Sequence, residues 1–94
     1  MGHVMEFEWD EVKFRSNLEK HGVAFDQAAR IFNGPVLRQL DPRSYAEERY
    51  RSIGRVGEEF YVVVHTERDG AIRIISAWFG GRRERRAYYT HFAR

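Results

Sequence analysis

The sequence predicts an α+β fold in which a short strand and two helices come first, a four-stranded antiparallel meander follows, and a helix ends the chain. Three observations predict this order. Apolar residues recur at helical spacing between residues 11 and 32. Runs of β-branched and aromatic residues, separated by glycine-containing turns, fill residues 49–78. Residues 82–94 are rich in arginine, a good helix former.

The first two elements have clear boundaries in the sequence. Residues 5–9 alternate apolar and polar side chains, which predicts a short, half-buried strand. Asp10 can then cap a helix over residues 11–21. Gly22 follows this helix and can adopt the left-handed conformation that ends many helices.

The apolar residues of both helices define their predicted buried faces. In the first helix, Phe14, Leu18 and His21 fall at i, i+4 and i+7 and are predicted to share one face, with Asn17 between them. A second, shorter helix is predicted over residues 25–32, with an apolar stripe of phenylalanine and alanine. The Asn-Gly-Pro sequence at residues 33–35 ends it, because proline cannot continue a helix.

The second half of the chain predicts the meander. Its strands are expected over residues 36–40, 49–56, 60–66 and 71–78. The Asp-Gly pair at residues 69–70 predicts a two-residue hairpin turn. Such a turn would place Val64 opposite Ile75, and His65 on the same face as Trp78. The register of the two central strands therefore follows from one turn.

Length and composition limit the class of protein. The chain has 94 residues, so one domain over residues 1–94 is expected, with residues 1–4 as a ragged start or a cloning remnant. A hydrophobic content of 43% supports a packed core rather than disorder. The absence of cysteine fits a reducing, cytoplasmic location. No apolar run approaches the roughly 20 residues of a membrane helix, so no membrane association is expected.

The charge is unevenly distributed along the chain. The formal net charge is only +2, but residues 82–94 contain five arginines against the single acid Glu84. This asymmetry favours an anionic partner for the C-terminal part, either a nucleic acid or an acidic protein surface. The alternative is a solvated helix whose arginines only keep a small protein soluble.

Several kinds of catalytic site are disfavoured by the sequence. The four histidines form no His-x-His or His-x-x-x-His pair, so no metal and no cofactor are expected. No Gly-x-Ser-x-Gly sequence surrounds a serine, which argues against a nucleophile elbow. The two glycines at residues 80–81 lack the Gly-Lys-Ser/Thr sequel of a phosphate-binding loop.

The Lys20-His21 pair is the first candidate for chemistry. A histidine at a helix end, beside a cation, can transfer protons because imidazole titrates closest to neutral pH. The alternative is a structural histidine that fills the apolar stripe and bonds a backbone carbonyl. The same two interpretations apply to His65, which lies in a predicted central strand.

Arginine is the second chemical resource of the chain. Cleavage of RNA by its own 2′-hydroxyl needs a base, an acid and stabilisation of the charge that develops on phosphorus. Fixed guanidinium groups provide the last of these, because they bind phosphate oxygens in pairs and stay charged. Exposed aromatic residues can stack on unpaired bases, although each aromatic taken singly is as easily explained by the core.

The chain also resembles a known family, that of the BrnT toxins. The resemblance spans nearly the whole chain and depends on several linked motifs in one order: Phe7-Glu8-Trp9-Asp10, Lys13, Asn17, Lys20-His21-Gly22-Val23, Phe25, Ala28, Phe32, Glu48-Arg49, Ile53-Gly54, Arg73-Ile74-Ile75-Ser76-Ala77, Glu84-Arg85 and Tyr88.

The resemblance implies a function and partners. It implies a RelE-like ribonuclease toxin of a bacterial type II toxin–antitoxin system, which cleaves RNA without a metal ion and arrests growth. It implies neutralisation by a BrnA-like antitoxin with a ribbon-helix-helix DNA-binding region, in a heterotetramer that contacts operator DNA only through the antitoxin. The predicted catalytic residues are Lys20, His21, Arg49, Arg73 and Arg83. The predicted substrate-binding residues are Trp9, Arg51, Arg68, Trp78 and Arg82.

Two positions depart from the pattern of that family. Trp78-Phe79-Gly80-Gly81 stands where the family usually continues with arginine and a small, helix-favouring residue. This tryptophan either stacks on a base or marks a weakened nuclease, and the second case leaves a binding module that only pairs with its antitoxin. Ala24 occupies the place of a serine that caps the second helix in the family, which costs about 1 kcal/mol of local stability.

Overall fold

The computed structural model describes residues 5–43 and 47–93, so the prediction for residues 1–4 lies outside the described residues. In chain order, the elements are the strand β1 (Glu6–Trp9), the helices α1 (Glu11–His21) and α2 (Phe25–Ala28), a 3₁₀ helix (Ala29–Asn33), the strands β2 (Leu37–Leu40), β3 (Tyr50–Val56), β4 (Glu59–Arg68) and β5 (Ala71–Phe79), and the helix α3 (Arg82–Phe92). Within these described residues, no helix has the length and apolar character needed to cross a bilayer.

The strands form a single mixed sheet with the order β1-β5-β4-β3-β2. β2 to β5 run antiparallel to their neighbours, while β1 pairs with β5 in parallel. The predicted α+β class is confirmed. The predicted four-stranded meander corresponds to β2–β5 and forms only part of the sheet. β1 adds a fifth strand because Phe7 and Trp9 lie beside Ile72 and Ile74 and extend the apolar row of the sheet.

Hydrophobic clusters cover both faces of the sheet. On the first face, α1, α2 and the 3₁₀ helix pack against the sheet around fully buried residues such as Phe25 and Ile31. On the second face, α3 covers only part of the sheet, where Phe60, Val62 and Tyr88 are buried. The remainder of the second face is not covered by a helix among the described residues, which leaves room there for a ligand.

α1 has the predicted limits, and its buried face differs from the predicted one at Leu18. The Asp10 carboxylate accepts the Val12 N–H at 2.7 Å, and Gly22 has a φ of 70°, so both ends are confirmed. Leu18, however, is 44% exposed, whereas Asn17 is buried. The prediction for Leu18 was wrong because the helix turns its polar Asn17 toward the sheet edge, where it finds hydrogen-bond partners.

The second helix is shorter than predicted and tightens into the 3₁₀ helix after Ala28. This tightening presses Ile31 against Gly54 in β3. A Cβ atom on Gly54 would lie 2.7 Å from the Ile31 Cβ, far inside normal contact distance. Glycine at residue 54 therefore permits the close approach of the helix to the sheet.

The hairpin between β4 and β5 confirms one register prediction and corrects another. Asp69 and Gly70 both have positive φ angles, 53° and 80°, as a two-residue turn of this kind requires. A β-bulge between Val64 and His65 then shifts the pairing, so that Val64 lies opposite Ser76 instead of Ile75. Because the bulge inserts one residue, the predicted shared face of His65 and Trp78 was wrong.

Candidate active site

The C-terminal half of α1 is fixed to the open edge of β5 by the side chain of Asn17. Its amide nitrogen donates to the carbonyl oxygens of Ala77 at 2.8 Å and Val23 at 3.0 Å, and its oxygen accepts the Ala77 N–H at 3.1 Å. β1 pairs with β5 only as far as Ile74, so Asn17 takes over the role of a neighbouring strand beyond that point. The following turn of α1 carries Lys20 and is thereby held against the sheet.

The bulge in the hairpin turns two further side chains toward this helix end. Ser76 lies opposite Val64 and Trp78 opposite Val62, which places both on the second face of the sheet. Without the extra residue at Ile75, the alternation of the strand would place them on the first face, among the core residues. The bulge thus brings a hydroxyl and an indole to the uncovered part of the second face.

A cavity of about 700 Å³ lies at this place, and we call it the α1–β5 cavity. It is lined by Lys20, His21, Arg43, Ser76, Trp78 and Phe79. The rings of His21 and Trp78 are 6.0 Å apart between centroids, with 42° between their planes. A smaller cavity next to it shares Lys20, His21 and Ser76. Two cations, an imidazole, the half-buried Trp78 ring and the exposed Phe79 ring therefore surround one hollow.

Arg43 reaches the cavity from a loop and is positioned by Asp41. The Asp41 carboxylate is 4% exposed and accepts the Arg43 backbone N–H at 3.1 Å and its Nε–H at 3.3 Å. The hydrogen bond from the Arg43 backbone lowers the pKa of Asp41 and outweighs its burial, so the carboxylate stays charged. Most of the Arg43 side chain remains exposed and available to a ligand.

Two further predicted residues, Arg51 and Arg73, share this face of the sheet by register, and Arg49 immediately precedes β3. Arg51 lies opposite Val64, in the row that continues to Ser76, so its Cα atom is about 10 Å from that of Ser76. Arg49 lies across from Asp41, to which its carbonyl is bonded at 2.8 Å. Arg73 approaches Glu8 of β1, with its Nη1 atom 3.6 Å from a carboxylate oxygen. These three arginines do not line the α1–β5 cavity.

The other predicted residues lie elsewhere. Trp9 is on the first face, where its ring stacks on Phe14 at 5.8 Å and contacts the core. Arg68 adjoins the hairpin turn and lines a separate cavity of about 460 Å³. Arg82 and Arg83 are exposed in the first turn of α3. Of the ten predicted site residues, Lys20, His21 and Trp78 line the α1–β5 cavity.

Sequence reasoning did not select Asp41 and Arg43. The signal was present, since an aspartate often accepts the backbone N–H two residues ahead and so fixes a turn. The Asp-Pro-Arg sequence at residues 41–43 has this form. What the sequence does not reveal is that this turn lies over the second face, close to Lys20.

A second polar cluster resembles a hydrolytic triad but cannot reach a substrate. The Ser52 hydroxyl lies 2.8 Å from His65 Nε2, and Glu67 lies 3.6 Å from His65 Nδ1. Ser52 and His65 are both 0% exposed, so no substrate atom can contact the serine. Burial lowers the pKa of His65 despite the nearby carboxylate, and the ring is neutral at pH 7. Of the two interpretations of His65, the structural one fits this burial.

Among residues 5–43 and 47–93, no three histidine, aspartate or glutamate side chains converge as metal ligands would.

A family model for ribonuclease toxins of type II toxin–antitoxin systems matches residues 9–84, which cover most of the elements described above. The chain is therefore a toxin of this class, and an antitoxin is its implied partner. The family is BrnT, and the chain belongs to it.

A solved structure supports the same assignment. The chain is similar to the Brucella abortus ribonuclease toxin, BrnT, known from a crystal structure at 1.1 Å resolution. The two share 27% sequence identity, and the match covers 84% of this chain and 100% of that chain with a TM-score of 0.64. A search of curated proteins gave no match.

Proposed function

We propose that the chain is a RelE-like endoribonuclease whose active site is the α1–β5 cavity. The observation that carries this proposal is the convergence of Lys20, His21 and Arg43 around one hollow, on the sheet face that Arg51 shares. This concentration of positive charge suits a phosphodiester, and the rings of the cavity suit an unpaired base.

The proposed reaction needs only the groups of the chain and of the RNA. The 2′-oxygen attacks the adjacent phosphorus and loses its proton to a base, while the bond to the 5′-oxygen breaks and that oxygen takes a proton. His21 is placed to transfer a proton, with Lys20 beside it. Arg43 and Lys20 stabilise the charge on the phosphorane oxygens. Metal independence is proposed because these cations already provide the charge of a metal and repel a second cation.

The aromatic rings of the cavity indicate which conformation of RNA it would bind. The indole lines the cavity beside His21, and Phe79, 46% exposed, lies next to it. Stacking of one or two bases on these rings requires that the bases are unpaired. We therefore propose that the substrate is single-stranded at the cleaved bond.

Cleavage of RNA by the purified protein in EDTA tests the proposal. His21→Gln is expected to slow single-turnover cleavage by on the order of 100-fold, the typical contribution of a proton-transfer group. His91→Gln, which changes an exposed histidine in the last turn of α3, is the matched control and should cleave as the parent does. Arg73→Ala measures the contribution of the arginine beside Glu8. Equal rates for the parent and His21→Gln would remove His21 from the mechanism.

A second function is favoured by Trp78 itself. The indole stands where the resemblance leads us to expect an arginine, and it occupies space in the cavity beside His21. A toxin weakened in this way would act as a binding module that pairs with its antitoxin and co-represses the operon. Trp78→Arg separates the two functions: a silent parent that gains cleavage supports the binding module, and an active parent that loses it supports stacking.

The partner is proposed to be a BrnA-like ribbon-helix-helix antitoxin. Membership of a type II toxin family supports this, and we further propose a heterotetramer in the cytoplasm that reaches operator DNA only through the antitoxin. Expression in bacteria with and without the neighbouring gene tests it. Growth arrest that the neighbour relieves is expected, and harmless expression at high level would contradict it.

A further inference from the structure

Helix α3 presents three arginines on the side that faces away from the sheet. Glu84, Tyr88 and Phe92 follow each other at a spacing of four residues and turn toward the sheet. At 100° per residue, the opposite side carries Arg82, Arg83 and Arg86, and all three are exposed. We call these three residues the α3 crest.

The crest has no carboxylate partner in the described part of the chain. Glu84 is the only acid of α3, and its carboxylate accepts the Gly81 backbone N–H at 2.8 Å instead of binding an arginine. Cations in the first turn also oppose the positive end of the helix dipole. The positions of Arg82 and Arg83 therefore do not serve the stability of α3, which points to an external anion.

An exposed aromatic ring and two further arginines lie beside the crest. Tyr89 is 46% exposed, and its hydroxyl accepts a hydrogen bond from Arg55 at 3.0 Å. The Arg85 guanidinium lies over the Phe60 ring at 5.2 Å. Phe60 is buried beneath Arg85, so Tyr89 is the ring of this pair that a base can reach. Exposed cations beside an exposed aromatic ring suit a nucleic acid strand, which offers both phosphates and bases, better than an acidic protein surface.

The crest continues directly from the α1–β5 cavity. Phe79 lines the cavity, and only residues 80–81 separate it from Arg82. Three residues span at most about 11 Å, so the crest begins within a few nucleotides of the cavity. We infer that the α3 crest binds the phosphate backbone of the single-stranded RNA next to the cleaved bond. This inference rests on the proposed ribonuclease function and assigns Arg82 and Arg83 to positioning of the strand.

Salt dependence of binding tests the inference separately from cleavage. The probe is a fluorescent 20-nucleotide RNA with 2′-O-methyl groups, which cannot undergo 2′-hydroxyl attack. For the variant Arg83→Gln/Arg86→Gln, the slope of log K against log salt should become shallower by about 1.4, since each phosphate contact contributes about 0.7. Affinity at 150 mM salt should fall roughly tenfold. The matched control Arg15→Gln/Arg30→Gln removes two exposed arginines from α1 and the 3₁₀ helix and should bind as the parent does.

Further measurements separate the outcomes. Arg83 does not line the α1–β5 cavity, so the inference replaces the catalytic role predicted for it from the sequence with a role in binding the strand. With cleavable RNA, the crest variant should therefore raise KM and leave kcat unchanged. His21→Gln should retain the parent slope, so loss of cleavage alone overturns the proposed function and not the crest. An unchanged slope in the crest variant overturns the inference. Loss of antitoxin binding with an unchanged slope would overturn it as well and assign the crest to a protein partner.

Discussion

Replacement of Asn17 by alanine is expected to destabilise the protein strongly. The mutation leaves the Ala77 N–H and the carbonyl oxygens of Ala77 and Val23 without partners. Ala77 and Val23 are both 0% exposed, so water does not readily replace the amide. Each buried group that loses its partner costs about 1–3 kcal/mol, and removal of the side chain also leaves a cavity. The expected loss is therefore about 3–5 kcal/mol.

That loss is large relative to the total free energy of unfolding. A chain of 94 residues has a free energy of unfolding of roughly 5–14 kcal/mol. A loss of about 3 kcal/mol would lower the Tm by roughly 12 °C or more. Urea denaturation at pH 7, followed by far-UV circular dichroism, gives the difference in free energy directly, with an unchanged m-value expected if the folded state keeps its surface.

Two further variants sharpen this experiment. Asn33→Ala changes an exposed asparagine at the end of the 3₁₀ helix and should alter the free energy by less than about 0.5 kcal/mol. Asn17→Asp keeps an acceptor for the Ala77 N–H but places a carboxylate against two carbonyl oxygens, so it should destabilise at least as much as Asn17→Ala. A loss below about 1 kcal/mol for Asn17→Ala would refute the role given to Asn17 at the sheet edge.

Three other changes have defined outcomes. Ala24→Ser should raise the free energy of unfolding by about 1 kcal/mol in urea denaturation, because Ala24 is the N-cap of α2 and makes no side-chain hydrogen bond there. Gly54→Ala should lower it by about 1–3 kcal/mol, because the new Cβ atom meets Ile31 at 2.7 Å. His65→Gln should weaken the pH dependence of stability. Burial lowers the pKa of His65 in the folded state, so the unfolded chain binds the proton more tightly, and stability falls as the pH drops below about 6.5 toward the folded pKa.

Each of these has a result that would contradict it. An unchanged urea midpoint for Ala24→Ser would show that the start of α2 is stabilised by packing alone. Gly57→Ala is not a suitable control for Gly54, since Gly57 has a φ of 61°, whereas Gly34 has a negative φ and open space around it. Gly34→Ala should therefore be nearly neutral. For His65, parallel stability curves of the parent and His65→Gln between pH 5 and 8 would assign the acid sensitivity to other groups.

Local chemistry predicted those parts of the fold that depend on neighbouring residues. Asp10 and Gly22 define the ends of α1, and the Asp-Gly pair at residues 69–70 defines the hairpin, because each acts on backbone groups within three residues of itself. The pairing of β1 with β5 was not predictable in this way. It joins residues more than sixty positions apart, and it accompanies the packing of Phe7 and Trp9 of β1 against Phe32 and Phe25, which are distant in sequence.

The sequence predicted which kinds of residue form the candidate site, but not which individual residues line the cavity. Lys20 and His21 were selected from their place at a helix end, and the cavity contains both. Trp9 was selected with Trp78, yet only Trp78 reaches the cavity. Along both strands, successive side chains point to opposite faces of the sheet. In β1 this alternation is regular, so Trp9 lies on the first face together with Phe7.

The difference between the two tryptophans comes from one residue in β5. The bulge at Ile75 reverses the alternation for every residue that follows, so Ser76 and Trp78 turn away from the core that Ile72 and Ile74 enter. The same shift leaves the Ala77 N–H and C=O at the open edge, where Asn17 binds them and holds the end of α1. One irregularity in pairing therefore both supplies the wall of the cavity and anchors the helix that carries its proton-transfer groups.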